Sequence, residues 1–501
     1  MKNKKYTCRA ALLAAVIGFG MLNGTMLPTA SAGTILDTYN VYQTEIYATY
    51  QNAADSLENA EAFVALYDKM NTYYKTYKGQ DGINEYWDPT VNDSNIINAY
   101  ANAKTYISKA ESTTTVTTAY STYAAADSTG SSLITRFNAA NDNASIADPF
   151  TTGLLSTADI TAADAAATAV SSVDSANVTD ATAAAELAVL QSMSGTKVQA
   201  LIQKQQAAYQ KVGAVVIGAG NAAGVINDAI TSNVMTRTGQ LRDGRAAKLA
   251  AKNKAVNQNI WLAVNGGRMD MDNGNGYGTT RVHFTNYQLG FDHQYDAKNY
   301  IGFYAGTTTG HLENPGTTYR TDIHDAMECG AYGTHKLPHG AYLDYILRYT
   351  EYQNEFLGQK FKLKDTGATI GYGLERKLRK ATVNPYVKLV YDTIDMGDAT
   401  LGANTVTSDT ADNWSAKVGV NVHSAQGLTA GLAYRRGLSG GYTTLVDGIA
   451  VPKADYHAGV LSAHLDFDQP LSNRADLNLN FEKSYLDYNG WHVQGKFSYS
   501  F

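Results

Sequence analysis

Trp491-His492-Val493-Gln494-Gly495-Lys496-Phe497-Ser498-Tyr499-Ser500-Phe501 closes the chain, and its reading decides the fold. Trp491, Val493, Phe497, Tyr499 and Phe501 share one parity, and His492, Gln494, Lys496, Ser498 and Ser500 the other. Period two with one apolar and one polar face describes a β-strand between two environments. The pattern recurs upstream. Ala475, Leu477, Leu479 and Phe481 oppose Asp476, Asn478, Asn480 and Glu482, and Trp414, Ala416, Val418, Val420 and Val422 oppose Ser415, Lys417, Asn421 and His423. Leu343, Tyr345, Leu347 and Tyr349 alternate in the same way.

Working outward predicts twelve strands, near 260–267, 280–294, 298–310, 322–336, 340–353, 361–376, 381–396, 412–424, 427–438, 454–467, 474–486 and 490–501. Most are long enough to cross a bilayer at a tilt, which takes about 9–11 residues. An even strand number fits a bacterial outer-membrane barrel. Connections around Asp272-Asn273-Gly274, Asn314-Pro315-Gly316, Gly402-Ala403-Asn404 and Gly440-Gly441 are long. Those around Asp296-Ala297, Leu337-Pro338, Ala425-Gln426 and Pro470-Leu471 are tight. Gly358 and Asn489 break the asymmetry with shorter links on the long side. Trp261, Trp414 and Trp491 near strand starts suit interfacial girdles. A soluble sandwich would place the apolar face inward and has no need of such girdles.

Composition agrees. The chain has 501 residues, net charge −6, 44% hydrophobic residues, 35 tyrosines and only two cysteines. Its length calls for more than one region. The balance argues against nucleic-acid binding, and two cysteines exclude a disulfide framework. Charge divides the chain into four parts. Residues 1–32 carry four basic groups, residues 33–232 carry 9 basic and 20 acidic, residues 233–258 carry 6 basic and 1 acidic, and residues 259–501 carry 21 basic and 25 acidic.

The first part reads as a signal peptide. Lys2, Lys4, Lys5 and Arg9 precede an apolar run from Ala10 to Leu22, and Ala30-Ser31-Ala32 offers a cleavage site. Its removal leaves Cys329 as the one cysteine, a buried or membrane-facing thiol. Residues 233–258 read as a basic helix. On a helical wheel Arg237, Arg245, Lys248 and Lys252 fall on one arc, with Arg242 beside it. Such a helix belongs inside the barrel, where Asp392, Asp466, Asp476 and Glu482 are candidate lumen carboxylates, because unpaired ions in a confined pore are costly. The alternative is a solvated surface helix.

Trp261-Leu262-Ala263-Val264 with Tyr287-Gln288-Leu289-Gly290-Phe291-Asp292 resembles the opening of an autotransporter (type V secretion) translocator domain. Asn384-Pro385-Tyr386 resembles that family's N-P-Y/F strand motif, and Arg237-Thr238-Gly239-Gln240-Leu241-Arg242-Asp243 its linker helix. The resemblance covers about 270 residues, from Asn233 to the end. It implies recognition of the terminal Phe501 by the barrel assembly machinery, periplasmic chaperones on the way, and outer-membrane lipid around the barrel. In the serine-protease autotransporters of enterobacteria an Asn-Asn pair before the helix releases the passenger by asparagine cyclisation. The matching pair here is Ser232-Asn233, and serine cannot cyclise, so no self-cleavage by that route is expected.

Residues 33–232 would be the exported passenger, mainly α-helical with low-complexity segments. Ile35, Tyr39, Tyr42, Ile46 and Tyr50 form a helical stripe, as do Phe63, Tyr67, Met70, Tyr74 and Tyr77. Asp88-Pro89 interrupts it. Helix resumes near Asn95 and again over 183–212, while 156–182 is an Ala/Thr/Ser/Asp tract with weak core potential. The family's usual β-helical passenger is not expected here. Val215-Val216-Ile217-Gly218-Ala219-Gly220-Asn221-Ala222-Ala223-Gly224 imitates a dinucleotide loop, but no acidic strand end follows, and a flexible small-residue segment fits better. His335 and His339 flank a turn without convincing metal spacing, and Asp270-Met271-Asp272-Asn273-Gly274 fails the calcium-loop pattern. No hydrolase signature stands in the passenger. The expectation is an outer-membrane protein, without cofactor or enzymatic site, that displays a small helical passenger for adhesion or surface interaction. The alternatives are an unrecognised hydrolase passenger and a porin-like barrel with a periplasmic N-terminal region.

Overall fold

The structure, a computed structural model, describes residues 32–80, 82–83, 88–126, 131–142, 148–151, 153–178, 180–242, 258–455 and 457–501. The expected signal peptide and the basic residues Arg245, Lys248 and Lys252 lie outside the described residues. Two compact units are present, one within residues 1–122 and 168–191, the other within 123–167 and 192–501.

In the first unit, helices α1 (Ala32–Thr49), α2 (Leu57–Tyr77) and α3 (Ser94–Ala124) bury the tyrosine stripes. Ile35, Tyr39, Ile46, Phe63, Tyr67, Met70, Tyr74 and Ile96 form one core. Tyr67 stacks on Tyr100 with centroids 3.8 Å apart. Ser56 caps α2 by accepting from the Asn59 amide at 3.1 Å. Asp88 caps the turn Pro89–Asn92 through Thr90, which explains the interruption read at Asp88-Pro89. Phenolic oxygens keep polar partners at the rim: Tyr73 donates to the Ile35 carbonyl and Tyr100 to Asp68. The unit thus uses tyrosine as a core residue with a polar end.

In the second unit twelve antiparallel strands close a barrel. They are β1 (Gln258–Asp272), β2 (Thr279–Gln294), β3 (Asn299–Glu313), β4 (Arg320–Lys336), β5 (Ala341–Phe356), β6 (Gln359–Leu374), β7 (Ala381–Asp395), β8 (Ala411–Ser424), β9 (Leu428–Ser439), β10 (Gly459–Pro470), β11 (Ala475–Leu486) and β12 (Tyr488–Ser500). Each pairs with its sequence neighbours, and β1 pairs with β12, with Trp261 opposite Ser498. No open edge remains to need covering. The short β5–β6 link is a two-residue turn in which Leu357 and Gly358 both take positive φ, the geometry that matches strand twist.

The alternation holds around the wall. Leu262, Leu289, Phe303, Leu347, Ile370, Leu432, Leu465, Val493 and Phe497 are exposed on the outer face, where lipid would cover them. Trp414, Trp491 and Cys329 also face outward. Trp261 does not. It is 1% exposed inside the barrel, where its Nε1 donates to the Tyr332 hydroxyl at 2.7 Å. The girdle role expected of it is corrected by parity: Ile260 and Leu262 take the outward positions on either side.

Candidate functional site

The lumen is occupied by one helix. Helices α4 (Leu133–Asp142), α5 (Thr157–Ala169), α6 (Ala181–Ser192) and α7 (Gly195–Lys204) precede α8, which runs from Gln206 to Arg242. The basic helix expected from Asn233 therefore starts at Gln206. The stretch Val215–Gly224 is its buried middle rather than a flexible segment. By composition α8 could cross a membrane alone, yet 94% of its most apolar window is buried within the protein.

Small residues let the wall come close. A Cβ on Gly218 would stand 2.5 Å from Thr280 Oγ1, and one on Gly220 would stand 2.7 Å from Met396 Sδ. Each glycine costs a helix about 1 kcal/mol relative to alanine, which close packing offsets here.

Polar anchors descend the helix in sequence. Asn221 donates to Asn273 at 2.9 Å, and Tyr352 donates to Asn227 at 2.8 Å. Arg348 of β5 donates to Thr231 at 3.1 Å while pairing with Asp365 and Asp392. Asn233 donates to Gln288, and its carbonyl accepts from Lys496 Nζ at 2.8 Å. Arg237 makes a two-pronged pair with Asp292, at 2.7 and 3.1 Å. Gln240 donates to Asp468 at 2.9 Å. Arg242 pairs with Asp344 and, at 3.1 Å, with Glu375, and its guanidinium lies 3.5 Å from the centre of the Tyr342 ring. Forked arginine–carboxylate contacts fix both position and angle, so this end of the helix has one seat.

Among the described residues, Asp392, Asp466 and Glu482 of the four expected lumen carboxylates do not pair with Arg237 or Arg242. Asp392 lies inside but pairs with Arg348. Asp466 accepts from Asn480 and stands 3.5 Å from His464. Glu482 stands between Lys417 and His492, at 4.0 and 3.8 Å. Asp476 is half-buried within electrostatic reach of Arg237. The partners that sequence reasoning missed are Asp292, Asp344 and Glu375. Asp292 ends the inward series Asn286, Gln288, Gly290 on β2, a signal present in the alternation. The helix packs against β1–β5, and a polar cavity of about 90 Å³ remains on its other side, lined by Lys388, Lys417, His464 and Asp466 among others. Phe501 is exposed, with its amide donating to the Gln258 carbonyl at 3.1 Å.

At the end of the barrel carrying the long connections, residues 398–401, 404–408, 444–446 and 449–450 add a four-stranded sheet. The segment before α5 straps across it. Asn404 donates to the Pro149 carbonyl and Ala403 to that of Phe150, at 2.8 and 3.0 Å. Phe150 packs on Phe356 with centroids 4.8 Å apart. Thr157 donates its amide to the Asp447 carbonyl at 3.0 Å. Burial, with Asp159 nearby, raises the Asp447 carboxyl from 3.8 to about 6 against the Thr405 amide that lowers it. An acid held above its unfolded value costs nothing below pH 4 and its full penalty above pH 6. Asp447→Asn removes the penalty, and asparagine tolerates the positive φ of 51° there. The substitution should strengthen the strap by about 1–2 kcal/mol at pH 7 and leave it unchanged at pH 4. Hydrogen exchange of the Thr157 amide at both pH values checks this.

The remaining sequence candidates make local contacts. His335 contacts Asn299, and His339 occupies a positive-φ turn. Asp270 pairs with Arg281, and Asp272 accepts from the Gly274 amide within its turn.

Residues 260–482 match the family model described as autotransporter beta-domain. Comparison of the sequence with curated proteins gives no match. Among solved structures, the barrel is similar to the translocator domain of autotransporter NalP from Neisseria meningitidis, at 12% identity over 54% of this chain and 98% of that one, with a TM-score of 0.41. It is similar to the transport unit of autotransporter AIDA-I from Escherichia coli, at 16% identity over 53% and 98%, TM-score 0.39. It is also similar to the beta domain of the Bordetella autotransporter BrkA, at 17% identity over 49% and 100%, TM-score 0.36. The barrel of residues 260–482 is thus similar to an autotransporter beta-domain, a likeness that indicates outer-membrane localisation with the passenger at the cell surface.

Proposed function

We propose that this protein displays a small helical passenger for adhesion or another binding role at the cell surface, with no catalytic activity of its own. The reading is carried by the helix seated in the lumen through buried ion pairs, which ties whatever precedes it to the barrel. Residues 1–32 serve as the signal peptide, the region from residue 33 is exported, and residues 259–501 hold it in the membrane. Phe501 is the signal read by the barrel assembly machinery, with periplasmic chaperones as earlier partners. A porin-like role is opposed by a lumen filled with helix. With serine at 232, the chain stays uncut between Ser232 and Asn233.

Protease added to intact cells tests the proposal. The expected result is digestion of residues 33–122 and survival of a membrane-held fragment whose mass shows no new N-terminus at Asn233. Full protection of the N-terminal region would refute surface display.

A further inference from the structure

We propose a divalent transition-metal site of the zinc class on the outer wall, made by His283, His311 and Glu313. The site lies apart from the lumen and from the strap.

The placement follows from register. His283 on β2 stands directly opposite His311 on β3, and Glu313 lies two residues further along β3. Val282, Phe284 and Leu312 point inward and are buried, so the three side chains share the outer face. On that face the lipid-facing residues Leu289 and Phe303 lie towards the opposite end of these strands. The trio is therefore on the side of the 273–278 and 314–319 connections, beyond the apolar band.

The geometry is close to that of a three-ligand site. The two imidazoles stack with centroids 4.7 Å apart and planes 10° from parallel. His283 Nε2 lies 3.8 Å from Glu313 Oε1. One donor atom from each residue falls within 4.8 Å of the other two. Tetrahedral zinc with ligands at about 2.0–2.2 Å would bring those atoms to about 3.5 Å, a movement that side-chain torsions supply. Among the described residues neither ring makes a hydrogen bond within the protein, so their ring nitrogens are not committed elsewhere.

Charge permits a cation. Arg281 binds Asp270 through two contacts, at 2.6 and 3.1 Å, and takes the other oxygen of Glu313 at 3.0 Å. Arg268 on β1 stands opposite His283. The two arginines are thus matched by Asp270 and Glu313, and two neutral imidazoles supply the added affinity. Imidazole donors select zinc, nickel or copper over calcium and magnesium, which prefer oxygen. The fourth position stays open to water, and the ion would clamp β2 to β3 where the wall leaves the membrane.

Calorimetric titration of the full chain, folded in detergent and stripped with chelator, tests this with zinc chloride as the probe. One zinc per chain is expected, undisturbed by excess calcium. His283→Ala and His311→Ala should each weaken it at least about tenfold, a loss of roughly 1.4 kcal/mol or more. The proposal fails if the native chain shows no saturable zinc binding, or if the double variant binds as the native chain does. In the native chain, zinc should also shield His283 and His311 from diethyl pyrocarbonate. Equal modification with and without zinc would overturn the site without reliance on any variant.

Discussion

Replacing Arg348 with methionine should destabilise the folded barrel by about 3–5 kcal/mol, the usual cost of stripping one partner from a buried ion pair. The side chain is 2% exposed, and the carboxylates it holds, on Asp365 and Asp392, are 0% and 8% exposed. Methionine fills much of the volume but neutralises neither carboxylate, and Thr231 on the helix loses its donor as well. Denaturant unfolding in detergent micelles reads the loss as a lower midpoint. A triple variant that adds Asp365→Asn and Asp392→Asn should recover most of it, since the penalty lies in uncompensated charge rather than missing contacts. An unchanged midpoint in the single variant would show that water reaches these groups.

Trp261→Ala should cost a similar amount, about 3–5 kcal/mol, by opening a cavity in a wall that cannot collapse. Trp261 is among the largest fully buried side chains of the described residues. Its ring touches the Tyr304 and Tyr332 cluster, and Lys496 Nζ lies 5.8 Å from its centre. Lys496 also holds the Asn233 carbonyl, so the vacancy loosens the grip on the C-terminal third of the helix. The same unfolding measurement applies. Trp414→Ala is the control: it faces outward, 40% exposed, and should cost much less.

The barrel was legible in the sequence because alternation reports which face a residue takes. All twelve strands fall close to their expected positions, and the outward residues of β5, β8 and β12 are those read from parity. Parity says nothing about angle around the barrel axis. Asp392, Asp466 and Glu482 are buried in the barrel, but helix α8 packs against β1–β5, and their close partners are wall residues. Asp344 and Glu375 meet Arg242 only because the helix is off-centre, which no local pattern encodes. The small residues of Val215–Gly224 read as a flexible segment in the sequence. It is helical because the lumen accepts little else at Gly218 and Gly220. The tyrosine stripes of α1 and α2 were readable as packing faces, whereas the small strands in the long connections were too short to show a period.

The strap across the long-connection end has a topological meaning. A closed ring of strands encircles a single thread, and β1 and β12 form the seam at which the ring shuts. With α8 inside and Pro149, Phe150 and Thr157 fastened outside by Asn404, Ala403 and Asp447, the thread carries a stopper on one side. On the other side α8 continues through the chain into β1. The arrangement is a mechanical interlock: once the seam is shut, the helix can leave only if the stopper unfastens or the ring opens.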